Sequence, residues 1–324
     1  MNNNIRFRGL GNDFFNDLTE PTNKLNYILD FEHRNRKLFI VELRKNFLDL
    51  YFLGHAIEVR KRKKDGKYCL IGSNEFNPKS ILLSEKLKLL VRDYSTTKWQ
   101  IYFDEIKNRD AFQKIMDSVI SRIVIHKKGA ISEGVSEINH FVDNRDIRRN
   151  GILIIDRQVV FPGTRERIDL LGIRRLTNGK FIFSVIELKN KNNINIGSVF
   201  SQLKKYIDIV FENYDSFVAT YAQVINQKTK LRLLKRIKCQ IAPKNEISKG
   251  DIKGVAILDN YNIKGDLGPN GLLHRALDDW LKQNNDYSLE LFLKTNVLDS
   301  VFFLNLNETK ELLSRFKAKN QKLI

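Results

Sequence analysis

The chain has 324 residues, and its 42% of hydrophobic side chains excludes a disordered tail and predicts a folded protein with a substantial core. The net charge of +18 favours a polyanionic partner, most simply nucleic acid, because fixed cations displace counterions from a phosphate backbone. Only two cysteines are present, which excludes a disulfide scaffold. Because we also find no apolar run of the kind that forms a signal peptide or a membrane span, we expect a cytoplasmic protein without membrane contact.

In chain order, the first part is a basic module over residues 1–128. FIVEL, AIEVR and YCLIG are typical of strands, and an Asp-Gly turn separates the last two. Residues 81–95 and 104–122 have the apolar spacing of helices. Nothing in this part indicates a reaction chemistry, so we expect an N-terminal α+β module that positions a substrate or supports a homo-oligomer.

The second part, residues 129–262, carries the chemistry, and the third, residues 263–324, is expected to be a C-terminal extension packed on it. The second part is predicted to contain, in order, a helix near 131–142, the strand GILIIDRQVVF, two strands within RIDLLGIRRLTNGKFIFSVIELKN, helices in GSVFSQLKKYIDIVFENY and YAQVINQKTKLRLLKRIK, and the strand KGVAILD. The third is predicted to contain a helix near LLHRALDDWLKQ, strands in YSLELFLK and VFFLNL, and a closing helix from Glu308.

Three charged residues, Asp169, Glu187 and Lys189, lie inside apolar strands joined by an Asn178-Gly179 hairpin signal. Directly opposed residues of an antiparallel pair share a face, so the register decides whether the carboxylates meet. A two-residue loop sends Glu187 to the other face. A three-residue loop with the glycine in the left-handed region pairs Asp169 with Glu187, and Lys189 then shares that face because side chains alternate.

Two adjacent carboxylates repel each other, and their burial is costly without compensation. A divalent cation such as Mg²⁺ provides that compensation, since it prefers carboxylate oxygens together with water and substrate phosphates. The alternative is a buried ion pair between Lys189 and one of the carboxylates, and these three residues alone favour neither interpretation.

The pattern Asp169…Glu187-Leu188-Lys189 resembles the PD-(D/E)xK nuclease core, whose helix–hairpin–helix–strand order matches residues 131–260. Gln202 and Tyr206 reproduce the Gln-x-x-x-Tyr motif of the RecB-like branch. The stretch SEGVSEINHFVDNRDIRRNGILIIDRQV followed by RIDLLG is similar to the catalytic domain of NucS-type endonucleases, and the Shedu defence nucleases are a second resemblance. In contrast to the family pattern, Ile168 precedes the aspartate where a proline is usual.

The resemblance implies a restriction-endonuclease-like core, in which a central mixed sheet is flanked by helices. It implies that Asp169, Glu187 and the Leu188 carbonyl hold Mg²⁺ or Mn²⁺, together with a helix glutamate, Glu137 (or, in reserve, Glu133). Lys189 would act on the attacking water. The remaining pair of motif residues, Gln202 and Tyr206, would orient the lysine, the glutamate or a phosphate.

Basic side chains outside this motif are candidates for contacts with a nucleic-acid backbone. KTKLRLLKRIK carries six basic residues and no acidic one, which predicts either a helix along the backbone or an ordinary solvated face. The candidates are Arg165, Arg167, Lys228, Lys230, Arg232, Lys235 and Arg236. The chain lacks a Gly-rich phosphate loop, so we expect no nucleotide cofactor.

The sequence therefore predicts a metal-dependent endonuclease that hydrolyses DNA, and the Shedu-like resemblance implies a role in phage or plasmid defence. One alternative is a nuclease of the same core that acts on RNA. A second is a nucleic-acid-binding or assembly protein whose core has lost activity. A basic structural protein with buried ion pairs is a third, and it predicts that no metal binds.

Overall fold

The computed structural model describes residues 8–36, 38–126, 151–161, 166–190, 196–234, 252–259, 266, 271–283 and 288–294, and the backbone of 302–304. These residues form a mixed α/β protein with two six-stranded sheets. The chain divides into two compact units. We call Met1–Ile5, Asp146–Ala219 and Ala242–Ile324 the core unit, and Arg6–Arg145 with Thr220–Ile241 the N-terminal unit. The helices expected near 131–142 and from Glu308 lie outside the described residues.

The N-terminal unit contains an antiparallel sheet with the strand order β1-β2-β3-β4-β6-β5. Its strands are β1 Phe39–Arg44, β2 Phe47–Phe52, β3 His55–Lys61, β4 Tyr68–Ser73, β5 Arg92–Ser95 and β6 Lys98–Tyr102. Its helices are α1 Asn12–Thr19, α2 Asn26–Arg34, α3 Glu85–Lys88 and α4 Arg109–His126, with 3-10 turns at Asn74–Phe76, Pro78–Ser80 and Phe103–Glu105.

The two faces of this sheet differ in polarity, because side chains alternate along each strand. One face is apolar and packs in a single cluster with side chains of α1, α2 and α4, among them Val41, Leu48, Val59, Leu70, Trp99 and Ile101 from the strands. The registers place charged and aromatic residues on the opposite face, including Glu42, Arg44, Asp49, Arg60, Tyr102 and Arg92. One face of the sheet is thus an ordinary hydrophobic core, and the other is polar.

The helix predicted over 81–95 is wrong. The structure has only the short α3 there, and Arg92–Ser95 forms the edge strand β5, which pairs with β6. The apolar spacing misled the prediction because Leu83 and Leu89 are 98% and 76% exposed and pack on nothing that would hold a helix. The helix expected at 104–122 instead runs from Arg109 to His126.

The core unit contains the second sheet, in the order β12-β11-β10-β9-β8-β7. Its strands are β7 Ile152–Val160, β8 Arg167–Arg175, β9 Phe181–Asn190, β10 Lys253–Asp259, β11 Leu289–Lys294 and β12 Phe302–Leu304, and its helices are α5 Val199–Glu212 and α7 Leu272–Gln283. Strands β9, β10 and β11 are parallel, and the other neighbours are antiparallel. The elements expected from the sequence in these stretches are therefore confirmed, and the strands of the C-terminal part belong to the same sheet as the motif strands.

Helix α6 (Tyr214–Lys230) follows α5, and the chain passes from the core unit to the N-terminal unit within it, at Thr220. The sequence predicted that this helix would extend through KTKLRLLKRIK. It ends instead at Lys230, and Arg232 adopts a left-handed backbone with φ of 58°. The Leu233 amide donates to the Lys228 carbonyl at 2.8 Å, which closes the helix end.

Candidate active site

The hairpin between β8 and β9 has the odd register that a shared site requires. Its loop is the three residues 177–179: the Leu176 amide donates to the Lys180 carbonyl at 2.7 Å, and Gly179 has φ of +83°. Leu170 opposes Ile186, and the same register places Asp169 opposite Glu187. The three-residue loop with its glycine in the left-handed region is thus confirmed, and the flush two-residue turn is excluded.

The three charged motif residues meet on one face of the sheet and are nearly inaccessible. Asp169, Glu187 and Lys189 are only 5%, 3% and 7% exposed. The Lys189 ammonium lies 2.5 Å from Oε1 of Glu187. The Leu188 amide donates to Oδ2 of Asp169 at 3.0 Å. The Arg167 guanidinium, which is half exposed, lies 4.0 Å from Oδ1 of the same aspartate.

Burial dominates the electrostatics of Glu187. It raises the pKa of this carboxyl to about 8, with the negative charge of Asp169 as the second cause, and the neighbouring Lys189 only partly opposes the shift. Burial and the charge of Asp169 thus disfavour the ionised form of Glu187, which makes this a site that stabilises added positive charge.

Helix α5 brings the second motif to the same place. Gly254 of β10 lets the helix approach closely, because a Cβ there would lie 3.0 Å from the Ile207 side chain and 2.5 Å from that of Leu289. Tyr206 is 4% exposed. Its pKa is raised by burial and then by the negative charge of Glu187, and it has a hydrogen bond with the Arg167 backbone. Tyr206 therefore lies beside the carboxylates, as the motif requires.

Gln202, one turn before Tyr206 on α5, is half buried. Its Oε1 atom is buried and has no hydrogen-bond partner within the described ranges. A buried amide oxygen without a partner is costly, so it marks a position where a further polar group would be stabilised. Among the residues that the structure describes, no hydrogen bond joins Gln202 to Lys189 or Glu187.

One observation indicates that Asp169 and Glu187 are suited to hold a divalent cation. Oε2 of Glu187 is buried and has no hydrogen-bond partner among the described atoms, while Oε1 binds Lys189. Carboxylate oxygens of Asp169 and Glu187 are the hard donors that Mg²⁺ and Mn²⁺ prefer, and Leu188 lies in β9 between Glu187 and Lys189. Glu137 lies outside the described residues, and within them no cluster of three or more His, Cys, Asp or Glu side chains could hold a metal.

Two charged residues at the rim were not anticipated. Glu166, directly before β8, pairs with Lys205 of α5 at 2.6 Å, and its charge acts on Tyr206. The two residues are 39 positions apart, and no local pattern signals the contact. Arg167 is half exposed, and Arg165 lies outside the described residues.

The basic run at the end of α6 needs a correction. Lys228 was expected on an exposed basic face, but it is 1% exposed and pairs with the equally buried Glu42 of β1 at 2.8 Å. A lysine held in that way is not accessible to a nucleic acid. Lys230 and Arg232 are exposed, and Lys235 and Arg236 lie outside the described residues.

Lys228→Ala is expected to destabilise the N-terminal unit by about 3 kcal/mol, because it leaves the Glu42 carboxylate buried without its closest cation. Thermal or urea unfolding measures the loss. Lys230→Ala is the matched control, since this exposed neighbour should change stability by less than about 0.5 kcal/mol. Equal effects of the two substitutions would contradict the structural role of Lys228.

Comparison of the chain with protein-family models, with curated proteins and with solved structures finds no match. Across the part of the chain that the structure describes, no helix is both long and apolar enough to cross a membrane.

Proposed function

We propose that this protein is a metal-dependent endonuclease that hydrolyses DNA phosphodiester bonds on a restriction-endonuclease-like, PD-(D/E)xK core. One observation carries the proposal: Asp169 and Glu187 are buried and directly opposed on one face of the sheet, with the Lys189 ammonium 2.5 Å from Glu187. Burial of two opposed carboxyls and an ammonium costs free energy, and such costly groups are concentrated at sites that bind a ligand or catalyse a reaction. Tyr206 of helix α5 lies beside the same carboxylates, and this position supports the assignment.

In the proposed reaction, Mg²⁺ or Mn²⁺ would lower the pKa of a bound water and offset negative charge on the phosphoryl oxygens. Asp169 and Glu187 would hold the ion, with the Leu188 carbonyl and Glu137 as further ligands. Lys189 would hydrogen-bond the attacking water, whose oxygen bonds to phosphorus and gives up a proton to solvent while one ester oxygen leaves and takes up a proton. Arg167, half exposed beside Asp169, is placed to pair with a phosphate of the substrate.

Tyr206 and Gln202 would position the lysine, the glutamate or a phosphate of the substrate. Tyr206 of α5 is held at the start of β8 by its hydrogen bond with the Arg167 backbone, and burial and the nearby carboxylates raise its pKa, which favours the protonated phenol. It can therefore donate a hydrogen bond to a carboxylate or a phosphate. The unpartnered Gln202 oxygen is suited to accept one from the water or from Lys189.

A structural ion pair is the rival interpretation, and the short contact between Lys189 and Glu187 favours it. It predicts a protein that neither binds divalent metal nor cleaves. An inactive binding protein would bind nucleic acid without cleavage, and a nuclease of the same core could prefer RNA. Phage or plasmid defence is the setting that we propose, from the Shedu-like resemblance alone.

The deciding experiment incubates the purified chain with plasmid DNA, single-stranded DNA and RNA in Mg²⁺, Mn²⁺ or EDTA. We expect DNA cleavage with either metal and none in EDTA. Thermal unfolding with and without Mn²⁺ gives a readout that does not depend on activity: the metal should raise the melting temperature of the wild type and not that of Asp169→Asn. Absence of both effects would favour the structural ion pair.

A further inference from the structure

The half of the polar face of the N-terminal sheet that contains Tyr102 combines aromatic and cationic side chains. The registers align Phe47, Arg60, Cys69 and Tyr102 across four neighbouring strands, so that the aromatic and cationic side chains share one face. Arg44, which is paired with Phe47, borders this row with a buried ion pair to Asp49. Further along the row, Arg60, Lys67 and Arg92 have side chains that are 41%, 52% and 48% exposed.

Cations surround the aromatic rings of this half. The Tyr102 ring has Arg62, Arg92 and Lys67 at 5.3, 5.5 and 5.9 Å from its centroid. The Phe47 ring has Arg60 at 4.9 Å. Rings and guanidinium planes are the side chains on which unpaired bases stack, and the same cations attract the phosphates between those bases.

The β3–β4 hairpin extends this charge beyond the sheet. Its stretch from Arg60 to Lys67 contains six cationic residues and a single carboxylate. Lys63 and Lys64 at its tip are exposed and form no ion pair with any described residue. The charge of the hairpin is therefore complementary to a polyanion.

Carboxylates also lie on this surface, but they are weak competitors for its cations. Glu58 pairs with Arg60 and Lys98, Asp104 with Lys67, and Glu105 with Arg92. All of these cationic partners are 41% to 52% exposed. Exposed pairs contribute little stability, so a phosphate group can replace the carboxylate at small cost.

We propose that this surface, which we call the basic-aromatic face (Phe47, Arg60, Arg62, Lys67, Arg92 and Tyr102), binds single-stranded DNA. A single strand is chosen over a duplex because only unpaired bases can stack on Tyr102, and a duplex would use the cations alone. The inference rests on the proposed function in one respect, namely that the nucleic acid is DNA. It gives the N-terminal unit a defined role in holding substrate.

The test measures binding of a fluorescent single strand to the full chain in EDTA across a range of salt concentrations. Tyr102→Leu should weaken binding by about tenfold or more, whereas Tyr102→Phe, which keeps the ring, should bind like the wild type. The double variant Lys63→Gln and Lys64→Gln should lower the slope of log affinity against log salt by roughly 1 to 1.5. Unchanged melting temperatures confirm that each variant is folded.

Two results would overturn the inference: a Tyr102→Leu variant that is folded and binds the single strand as the wild type does, or a matched duplex bound as tightly as the single strand and with equal dependence on Tyr102. Because EDTA prevents metal-dependent cleavage, the outcome is independent of the nuclease proposal. A chain that binds through this face yet cleaves nothing with Mg²⁺ would leave this inference standing and would overturn the proposed endonuclease activity.

Discussion

Glu187→Gln is expected to lower metal-dependent DNA cleavage by about 10³-fold or more, equivalent to at least about 4 kcal/mol of transition-state stabilisation. The substitution keeps the shape of the side chain but removes the negative charge that we propose holds the ion. The same loss is expected for Asp169→Asn, because the two carboxylates are opposed on one face and act on one ion. Initial rates on supercoiled plasmid in Mg²⁺, with single-turnover conditions for the variants, measure the effect.

The control for this prediction is Glu212→Gln, an exposed carboxylate at the end of α5, the helix that carries Tyr206. It should retain the wild-type rate within about twofold. Binding of DNA in EDTA should be unchanged or stronger in all three variants, since none of them adds a negative charge. If cleavage by Glu187→Gln stays near the wild-type level, the nuclease site has been assigned to the wrong residues.

Metal-free Glu187→Gln is expected to gain stability over the wild type as the pH rises. Glu187 has a pKa near 8 in the folded protein, above its ordinary value of 4.5. A carboxyl whose pKa is raised by folding contributes stability that is fully present below about 4.5 and is lost as the pH rises through 8. The glutamine does not titrate, so the stability of the variant minus that of the wild type should increase across this window, by a few kcal/mol at most.

Melting temperatures in EDTA between pH 5 and 9 measure this difference, which should amount to several degrees. The ion pair with Lys189 is present only where Glu187 is ionised, and its contribution is already included in the pKa near 8, so the slope against pH is the informative quantity. Glu212→Gln should track the wild type at every pH. A difference that stays constant, or that shrinks as the pH rises, would show that burial does not destabilise the Glu187 carboxylate.

Much of the core unit is predictable from the sequence, because its elements carry strong local signals. The nearly continuous apolar run that begins FIFSVIEL and the apolar stripe of GSVFSQLKKYIDIVFENY are found as the strand and helix that they predict. The N-terminal sheet is less predictable. The strand β2 was missed because its turn from β3 uses Leu53 and Gly54, both with positive φ, and a leucine there is not a turn signal. The edge strand β5 was missed because its pairing with β6, rather than local propensity, determines its conformation.

The sequence by itself singled out Asp169, Glu187 and Lys189 as charges within apolar strands, and the family resemblance added Gln202 and Tyr206 as candidates. Whether they form one site depended on the loop of residues 177–179, for which the sequence allowed two registers, and hydrogen bonds between strands select one. Only the tertiary structure could show that Lys228 is buried against Glu42, because the two are separated by 186 positions. The same holds for the polar face around Tyr102, whose nearest cations come from the edge strand β5 and the loop of the β3–β4 hairpin. Charge composition predicts that a residue is costly to bury, but the partner that offsets this cost is brought close only by the packing of the whole chain.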